Sequence, residues 1–253
     1  MRVPRQRSIL GRLTAQGMAT TEELAALCDV SAATVRRDLV ELERQGALRR
    51  VHGGAVALDG PDADATRGFA EVAASDAAHK AAVAARAAGL VADGDCVILD
   101  IGTTTMMLAR ALRGRPVTVV TASLAVLDVL RDDDDVELVL LGGMVRRHYH
   151  SLVGALTEDA LRQVHGSHVF LGASGVRGDG TVLDTTMVEV PVKRALLQAA
   201  DRSVLLVDRH KFPGTGTLRV CGAGEVDVVV TNEGADPDTI TVCREAGTEV
   251  LYA

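Results

Sequence analysis

Lysine is rare in this chain, three residues (Lys80, Lys193 and Lys211) against 24 arginines, and two of the three stand beside a carboxylate. Lys193 follows Glu189 by four residues, a spacing that pairs opposite charges on a helix which Pro191 can begin. Lys211 follows Asp208 just after an apolar run. A compact ammonium near a carboxylate suits recognition of phosphate or hydroxyls and could also move a proton. Ordinary surface pairing is the plain alternative. The segment Asp100-Ile101-Gly102-Thr103-Thr104-Thr105 adds a carboxylate and a run of hydroxyls. Gly102 permits close backbone approach, and successive N–H and hydroxyl groups at a helix start favour an anion. The segment has neither the GK[ST] ending of a Walker A loop nor the GxGxxG of a dinucleotide site. Phosphate binding and simple capping by Thr103 or Thr104 both remain open on these residues alone. Thr121-Ala122-Ser123, Gly142-Gly143 and Gly172-Ala173-Ser174-Gly175 repeat the pattern, with Gly, Ser or Thr directly after an apolar run. Brought together, these ends would form a polar cup for a phosphorylated sugar or polyol.

A different chemistry sits in residues 31–42. Ser31 can cap a helix start, and Val35, Leu39 and Leu42 recur at i, i+4 and i+7 to give one apolar face. The opposite face carries Ala33, Thr34, Arg36 and Arg37. Guanidinium forks beside a short polar side chain fit the major groove, where Arg pairs with guanine edges or clamps phosphate. Pairing of Arg37 with Glu41 on a plain surface helix is the alternative. Downstream, Leu48-Arg49-Arg50-Val51-His52-Gly53-Gly54-Ala55-Val56 reads as a basic hairpin turning at Gly53-Gly54, with Arg49, Arg50 and His52 available to grip DNA.

The elements that position these groups follow from local signals. Thr20 and Glu23 form a capping box that starts a short helix through Leu24, Ala25, Leu27 and Cys28. Asp29-Val30 then turns into the Ser31 start, giving helix, tight turn, helix. Ile9, Leu10 and Leu13 mark an earlier helix ending near Gly17, and Gly46 stops the helix that begins after Ser31. Residues 1–57 are therefore expected to form a winged helix-turn-helix domain. Asp59-Gly60-Pro61-Asp62-Ala63-Asp64 is breaker-rich and charged, so 58–77 is expected to be a linker. Residues 78–253 alternate helical stretches, beginning with 79–91, with short apolar runs at 96–100, 117–121, 136–141, 169–171, 203–207 and 226–231. Continuous apolar strands separated by helices imply a largely parallel sheet covered on both faces, with ligand sites at the carboxyl ends of its strands.

Composition sets limits on function. The net charge of −7 over 253 residues looks wrong for a nucleic-acid binder until it is divided along the chain. Residues 1–56 hold nine arginines and six carboxylates, net +3, and the remainder 18 basic and 28 acidic groups, net −10. A basic head and an acidic body are compatible with DNA binding by the head. The Arg-rich start lacks the apolar stretch of a signal peptide and no run has the length of a membrane span, so a cytoplasmic protein without a membrane partner is expected. Cys28, Cys96, Cys221 and Cys243 have no CxxC spacing, and His148, His150, His165 and His168 lack an evident third ligand, so no metal and no cofactor are expected. The run 132–135 is a solvated acidic loop, without the ligand spacing of an EF-hand. The chain has no Trp and only three Phe, too few for a single-strand stacking platform.

The TVRRDL core (34–39) and RRVHGGAV wing (49–56) resemble the N-terminal domain of DeoR-family bacterial transcription regulators. The resemblance continues through DIGTT (100–104), the TxSL turn (121–124), Gly142-Gly143 and GxSG (172–175), then Glu189 with Lys193 and DxxKF (208–212). It implies a larger α/β sensor domain related to ribose-5-phosphate isomerase, with a sugar phosphate as effector. The 100–105 loop and the 121–123 turn would hold much of the ligand, and Lys211 with Asp208 would complete the pocket. Many relatives carry Asn where this chain has Ala122 and Ser or Thr where it has His210, which leaves the effector's identity open. The expected function is a homo-oligomeric, non-enzymatic regulator, a repressor of carbohydrate-metabolism genes that binds double-stranded operator DNA. Two alternatives are a sugar-phosphate isomerase-like enzyme fused to a DNA-binding head, and a winged helix serving protein contact.

Overall fold

The computed structural model describes residues 2–16, 18–44, 47–51, 53–57 and 68–253, in two compact units, Met1–Arg67 and Gly68–Ala253. The first unit runs α1 (Arg2–Gln16), β1 (Met18–Thr20), α2 (Thr21–Cys28), α3 (Ala32–Arg44), β2 (Leu48–Val51) and β3 (Gly54–Ala57). Its core is small: Ile9 and Leu13 of α1, Leu24 of α2, and Val35, Leu39 and Leu42 of α3 close over Leu48 and Ala55. The apolar spacing in α3 thus faces inward, as the sequence implies. The Thr20–Glu23 capping box forms in both directions, and Asp29 ends α2 in the left-handed conformation at φ 50°.

The strands make a three-stranded sheet of order β1-β3-β2, one strand more than the expected hairpin. Of the two residues expected to turn, Gly53 does so at φ 83°, whereas Gly54 already opens β3 opposite Thr20. A Cβ on Gly54 would stand 2.3 Å from the Ala19 carbonyl oxygen, so close strand approach demands glycine there. Gly17, Gly46, His52 and 58–67 lie outside the described residues, as does the side chain of Arg49.

The second unit begins earlier than expected. Two helices, α4 (Phe69–Ala74) and α5 (Ala77–Ala88), bury Phe69, Val72, Val83 and Ala87, so the linker expected over 58–77 does not extend past 67. Six residues are too few for α4 to show a helical period.

The strands and helices then alternate: β4 (Cys96–Leu99), α6 (Thr103–Leu112), β5 (Thr118–Thr121), α7 (Leu124–Leu130) and β6 (Glu137–Leu140). A hairpin, β7 (Met144–Arg146) and β8 (Ser151–Val153), precedes α8 (Ala155–Leu161) and β9 (Gly166–Gly172). Then come β10 (Gly175–Val176), β11 (Thr181–Asp184), α9 (Val190–Leu197), β12 (Ala200–Leu206), β13 (Leu218–Gly222), β14 (Val228–Thr231), α10 (Pro237–Glu245) and β15 (Glu249–Tyr252).

Seven of these strands form a parallel sheet of order β15-β14-β12-β9-β4-β5-β6. Alternate residues serve opposite faces: Val97 and Leu99 meet α5, α6 and α7, whereas Ile98 meets the layer of α8, α9 and α10. The chain starts the sheet in the middle, at β4, builds outward through β5 and β6, and returns to add β9 on the other side. The order therefore reverses between β4 and β9, the kind of switch point at which open α/β sheets bind ligands beyond the carboxyl ends of their strands. A second, antiparallel sheet, β10-β11-β13, had no counterpart in the sequence expectations. Among the described residues no helix is long and apolar enough to cross a membrane.

Candidate functional site

In the first unit the Ser31 hydroxyl accepts from Thr34 N at 3.3 Å and lies 3.0 Å from the Thr34 hydroxyl, which caps α3. Ala33, Arg36 and Arg37 are exposed and Thr34 is half-buried. Arg37 Nε donates to the Ala33 carbonyl at 3.3 Å, laying the guanidinium back toward the helix start. Asp38, next in sequence, is buried and paired with Arg5 of α1; this contact raises the Arg5 pKa above its ordinary value. The pair fixes α3 against α1 and so sets which way Arg36 and Arg37 point. Sequence reasoning missed it, because a polar residue on the inward face breaks the apolar pattern and its partner lies 33 positions away. Arg50 is also more engaged than expected: its N–H donates to Glu43 at 2.8 Å, and its guanidinium stands 3.9 Å from the same carboxylate. That ties the start of the wing to the last turn of α3.

In the second unit the reversal point of the sheet coincides with Asp100, directly after β4, and Gly172, the last residue of β9. Asp100 is fully buried, and its Oδ2 accepts from Gly172 N at 3.0 Å. Lys193, reaching in from α9, pairs with that same oxygen, donates to the Gly172 carbonyl at 2.8 Å and lies 3.6 Å from Asp184 Oδ2 at the end of β11. Burial disfavours its ammonium, but the Asp100 and Asp184 carboxylates outweigh burial and hold the Lys193 pKa above its ordinary value. Lys193 is therefore a fixed cation with its donors committed.

This corrects the pairing expected from spacing. Glu189 and Lys193 are joined only through the backbone, Lys193 N to Glu189 O at 2.9 Å. The Glu189 carboxylate instead pairs with Arg146 of β7, whose guanidinium lies 5.5 Å from the centre of the Tyr149 ring. Asp184, Arg146 and Tyr149 were not found from the sequence. Nothing in the local spacing links them, and only the topology makes them neighbours.

The hydroxyls divide into two groups. Some brace the loops: Thr105 Oγ1 lies 2.7 Å from the carbonyls of both Asp100 and Gly102. Thr121 Oγ1 donates to Leu99 O at 2.8 Å and accepts from Ser123 N, and Ser123 Oγ caps α7 through Val126 N at 3.2 Å. Thr103 and Thr104 are buried at the start of α6, and neither hydroxyl makes a hydrogen bond among the described residues. Gly102 caps α6 without a side chain, so the first N–H groups of this ten-residue helix receive no side-chain cap from it. Asp100 Oδ1 and Ser151 Oγ are buried with no partner among the described residues. Ser151 bridges Ser123 across an antiparallel pair, and the Ala122 carbonyl accepts from Leu152 N at 2.8 Å. The β8 edge thus runs along the 121–123 turn.

Other expected positions also make contacts within the unit. Gly142 O accepts from Thr157 Oγ1 at 2.7 Å, and a Cβ on Gly143 would stand 2.1 Å from that same hydroxyl oxygen. Ser174 Oγ lies 3.3 Å from Thr185 Oγ1. Asp208 is buried and caps a 3-10 turn, Arg209–Lys211, through His210 N at 3.0 Å. Lys211 is half-buried in that turn, its N–H bonded to Asp208 O at 3.0 Å.

Two family models match the chain. Residues 5–60 match the DeoR-like helix-turn-helix domain, and residues 75–233 the DeoR C terminal sensor domain. The HTH-type transcriptional regulator GolR of Listeria innocua is 30% identical over 250 residues, covering 98% of both chains. The glycerol-3-phosphate regulon repressor of Escherichia coli K12 is 31% identical over 229 residues, covering 90% of each. Among solved structures, ribose 5-phosphate isomerase A of Methanocaldococcus jannaschii aligns with 54% of this chain and 55% of its own, at 20% identity and a TM-score of 0.40.

Proposed function

Since this chain belongs to the DeoR family of transcription regulators, we propose that its operator binding is governed by a phosphorylated sugar or polyol held at the reversal point between β4 and β9. The chain is a DNA-binding regulator; its family and its relatives are regulators, not enzymes. One observation carries the effector assignment: a fully buried carboxylate oxygen, Asp100 Oδ1, has no partner among the described residues beside the open N-terminus of α6. A buried acceptor left unpaired costs about 1–3 kcal/mol or more, which a ligand hydroxyl would recover. The α6 N–H groups and the hydroxyls of Thr103 and Thr104 supply the complementary half, donors for a phosphate. Lys193 neutralises Asp100, so the carboxylate does not repel the anion one turn away.

In this proposal the effector's hydroxyls bond Asp100 and Ser151, its phosphate sits at 103–105, and Lys211 with Asp208 closes the far side. Met106, in the first turn of α6, packs in one cluster with Phe69 of α4, the first helix of the sensor unit. Effector contacts at the start of α6 therefore press on the segment that enters the unit. The protein acts as a repressor and binds operator as a homo-oligomer, because paired heads read paired half-sites. A ligand shifts this equilibrium only by its different affinity for the two arrangements.

Thermal unfolding in the presence of phosphorylated sugars and polyols, each beside its unphosphorylated counterpart, tests the assignment. A cognate ligand at 100 times its Kd adds about 2.7 kcal/mol. A rise in Tm with a phosphorylated compound alone is expected. Equal response to the free sugar, or none to any phosphorylated compound, would overturn it.

A further inference from the structure

Three side chains with metal-binding donors, one of them in the turn between Asp208 and Lys211, converge from separate parts of the chain. Asp76 precedes α5, His79 lies in its first turn, and His210 belongs to the 3-10 turn after β12. Asp76 Oδ1 is 3.5 Å from His210 Nε2 and 3.9 Å from His79 Nδ1, and one donor atom from each residue falls within 4.8 Å of the others. The imidazole rings lie 5.4 Å apart at 66°, in an edge-to-face rather than a stacked arrangement.

The backbone supports the cluster in two ways. Asp76 occupies the helix N-cap position, where a carboxylate ordinarily accepts a bond from the first turn, yet it makes no such bond and holds a left-handed φ of 52°. Its carboxylate is turned to the histidines instead. Asn232 then joins the two segments, donating from Nδ2 to the His79 carbonyl at 3.2 Å and accepting from Arg209 N at 3.4 Å. The one lysine of α5, Lys80, sends its ammonium elsewhere, to the Val72 carbonyl.

We propose that Asp76, His79 and His210 form a half-exposed site for one divalent transition ion of the zinc class. Two imidazoles and one carboxylate suit Zn²⁺, Co²⁺ or Ni²⁺, whereas Mg²⁺ and Ca²⁺ prefer all-oxygen sets. Zinc bonds of about 2.0–2.1 Å place tetrahedral donors roughly 3.3–3.5 Å apart, so the observed spacings need only small side-chain rotations at the exposed Asp76 and His210 and the half-buried His79. Solvent completes the coordination. The ion would fasten the start of α5, nine positions beyond Arg67, to the turn that contains Lys211. None of the expectations drawn from sequence placed a metal here, because His79 and His210 are 131 positions apart.

The test uses the full-length protein, stripped with a chelator and titrated with Zn²⁺ against a competing indicator, and with Co²⁺ followed by its visible absorption. One ion per chain is expected, with H79Q and H210Q each weakening Zn²⁺ binding at least tenfold and losing the Co²⁺ spectrum. His165, which pairs with Asp201 on the surface, provides the control: H165Q binds like the parent. Melting of the metal-free variants at the parent's temperature shows that the fold is intact, and D76N serves in place of any variant that melts early. No Zn²⁺ bound by the parent, or the same affinity in H79Q, H210Q and D76N as in the parent, would overturn the proposal.

Discussion

Replacing Lys193 by Met tests whether the charged cluster is as tightly balanced as its geometry implies. Met keeps the length and apolar stem of the side chain but removes the ammonium that Asp100, Asp184 and the Gly172 carbonyl share. All three charged side chains are almost inaccessible, with Asp100 at 0%, Lys193 at 3% and Asp184 at 4% relative exposure. Breaking a buried pair by removing one partner costs about 3–5 kcal/mol, because the remaining charge is left uncompensated. For a unit of this size each kcal/mol lowers Tm by about 2–4 °C, so a fall of roughly 6–20 °C is expected at pH 7 in thermal unfolding followed by circular dichroism.

The pH dependence of the parent has a definite sign, which belongs to Lys193. Its pKa is raised in the folded state from an ordinary 10.5, so its contribution is fully present below about 10.5 and is lost as pH climbs through the raised value. Adding D100N to K193M should cost less than the two single changes summed, because the residues share one interaction. A K193M protein melting within about 2 °C of the parent at pH 7 would refute the reasoning.

Three further outcomes follow from named contacts. Replacing Arg36 and Arg37 together with Ala should weaken operator binding and lower the slope of log K against log salt by up to about 1.8, roughly 0.9 for each phosphate released; an unchanged slope would mean that α3 does not face DNA. Leu39→Ala, at 2% exposure in a core of nine buried residues among those described, should cost about 2–5 kcal/mol and abolish DNA binding while ligand-induced stabilisation of the second unit persists. Burial pushes the Cys221 thiol up to about 12, so it should resist iodoacetamide at pH 8 until the protein is unfolded; rapid native labelling would contradict its placement.

The parts of this molecule that were legible in the sequence are those whose determinants are local. The α3 face was readable because Val35, Leu39 and Leu42 repeat at helical spacing, and the parallel strands because each is a short unbroken apolar run. Even there, β1 and β15 went unseen; β1, three residues long, is defined by its pairing with β3. The candidate site was legible as a set of strand ends, since Asp100, Thr103, Thr104, Gly172 and Lys193 were all singled out. Its wiring was not. An i,i+4 rule assigns Lys193 to Glu189, yet the lysine crosses 93 positions to Asp100, and Glu189 takes Arg146 from a hairpin. Local spacing cannot register a choice that is decided by which carboxylate lies buried at the reversal point of the sheet. The same limit hid Asp38 with Arg5, and Asp76 with His79 and His210.

The central claim is that a phosphorylated ligand at the β4–β9 reversal point alters the affinity of the N-terminal unit for DNA. Fluorescence anisotropy of labelled DNA from the region beside the gene, titrated with protein at fixed salt, measures this directly. The comparison is between no ligand, the phosphorylated compound that raises Tm, and its unphosphorylated counterpart. A coupling of about 1–3 kcal/mol, or 5–150-fold in Kd, is predicted for the phosphorylated compound alone. An operator Kd identical under all three conditions would contradict it.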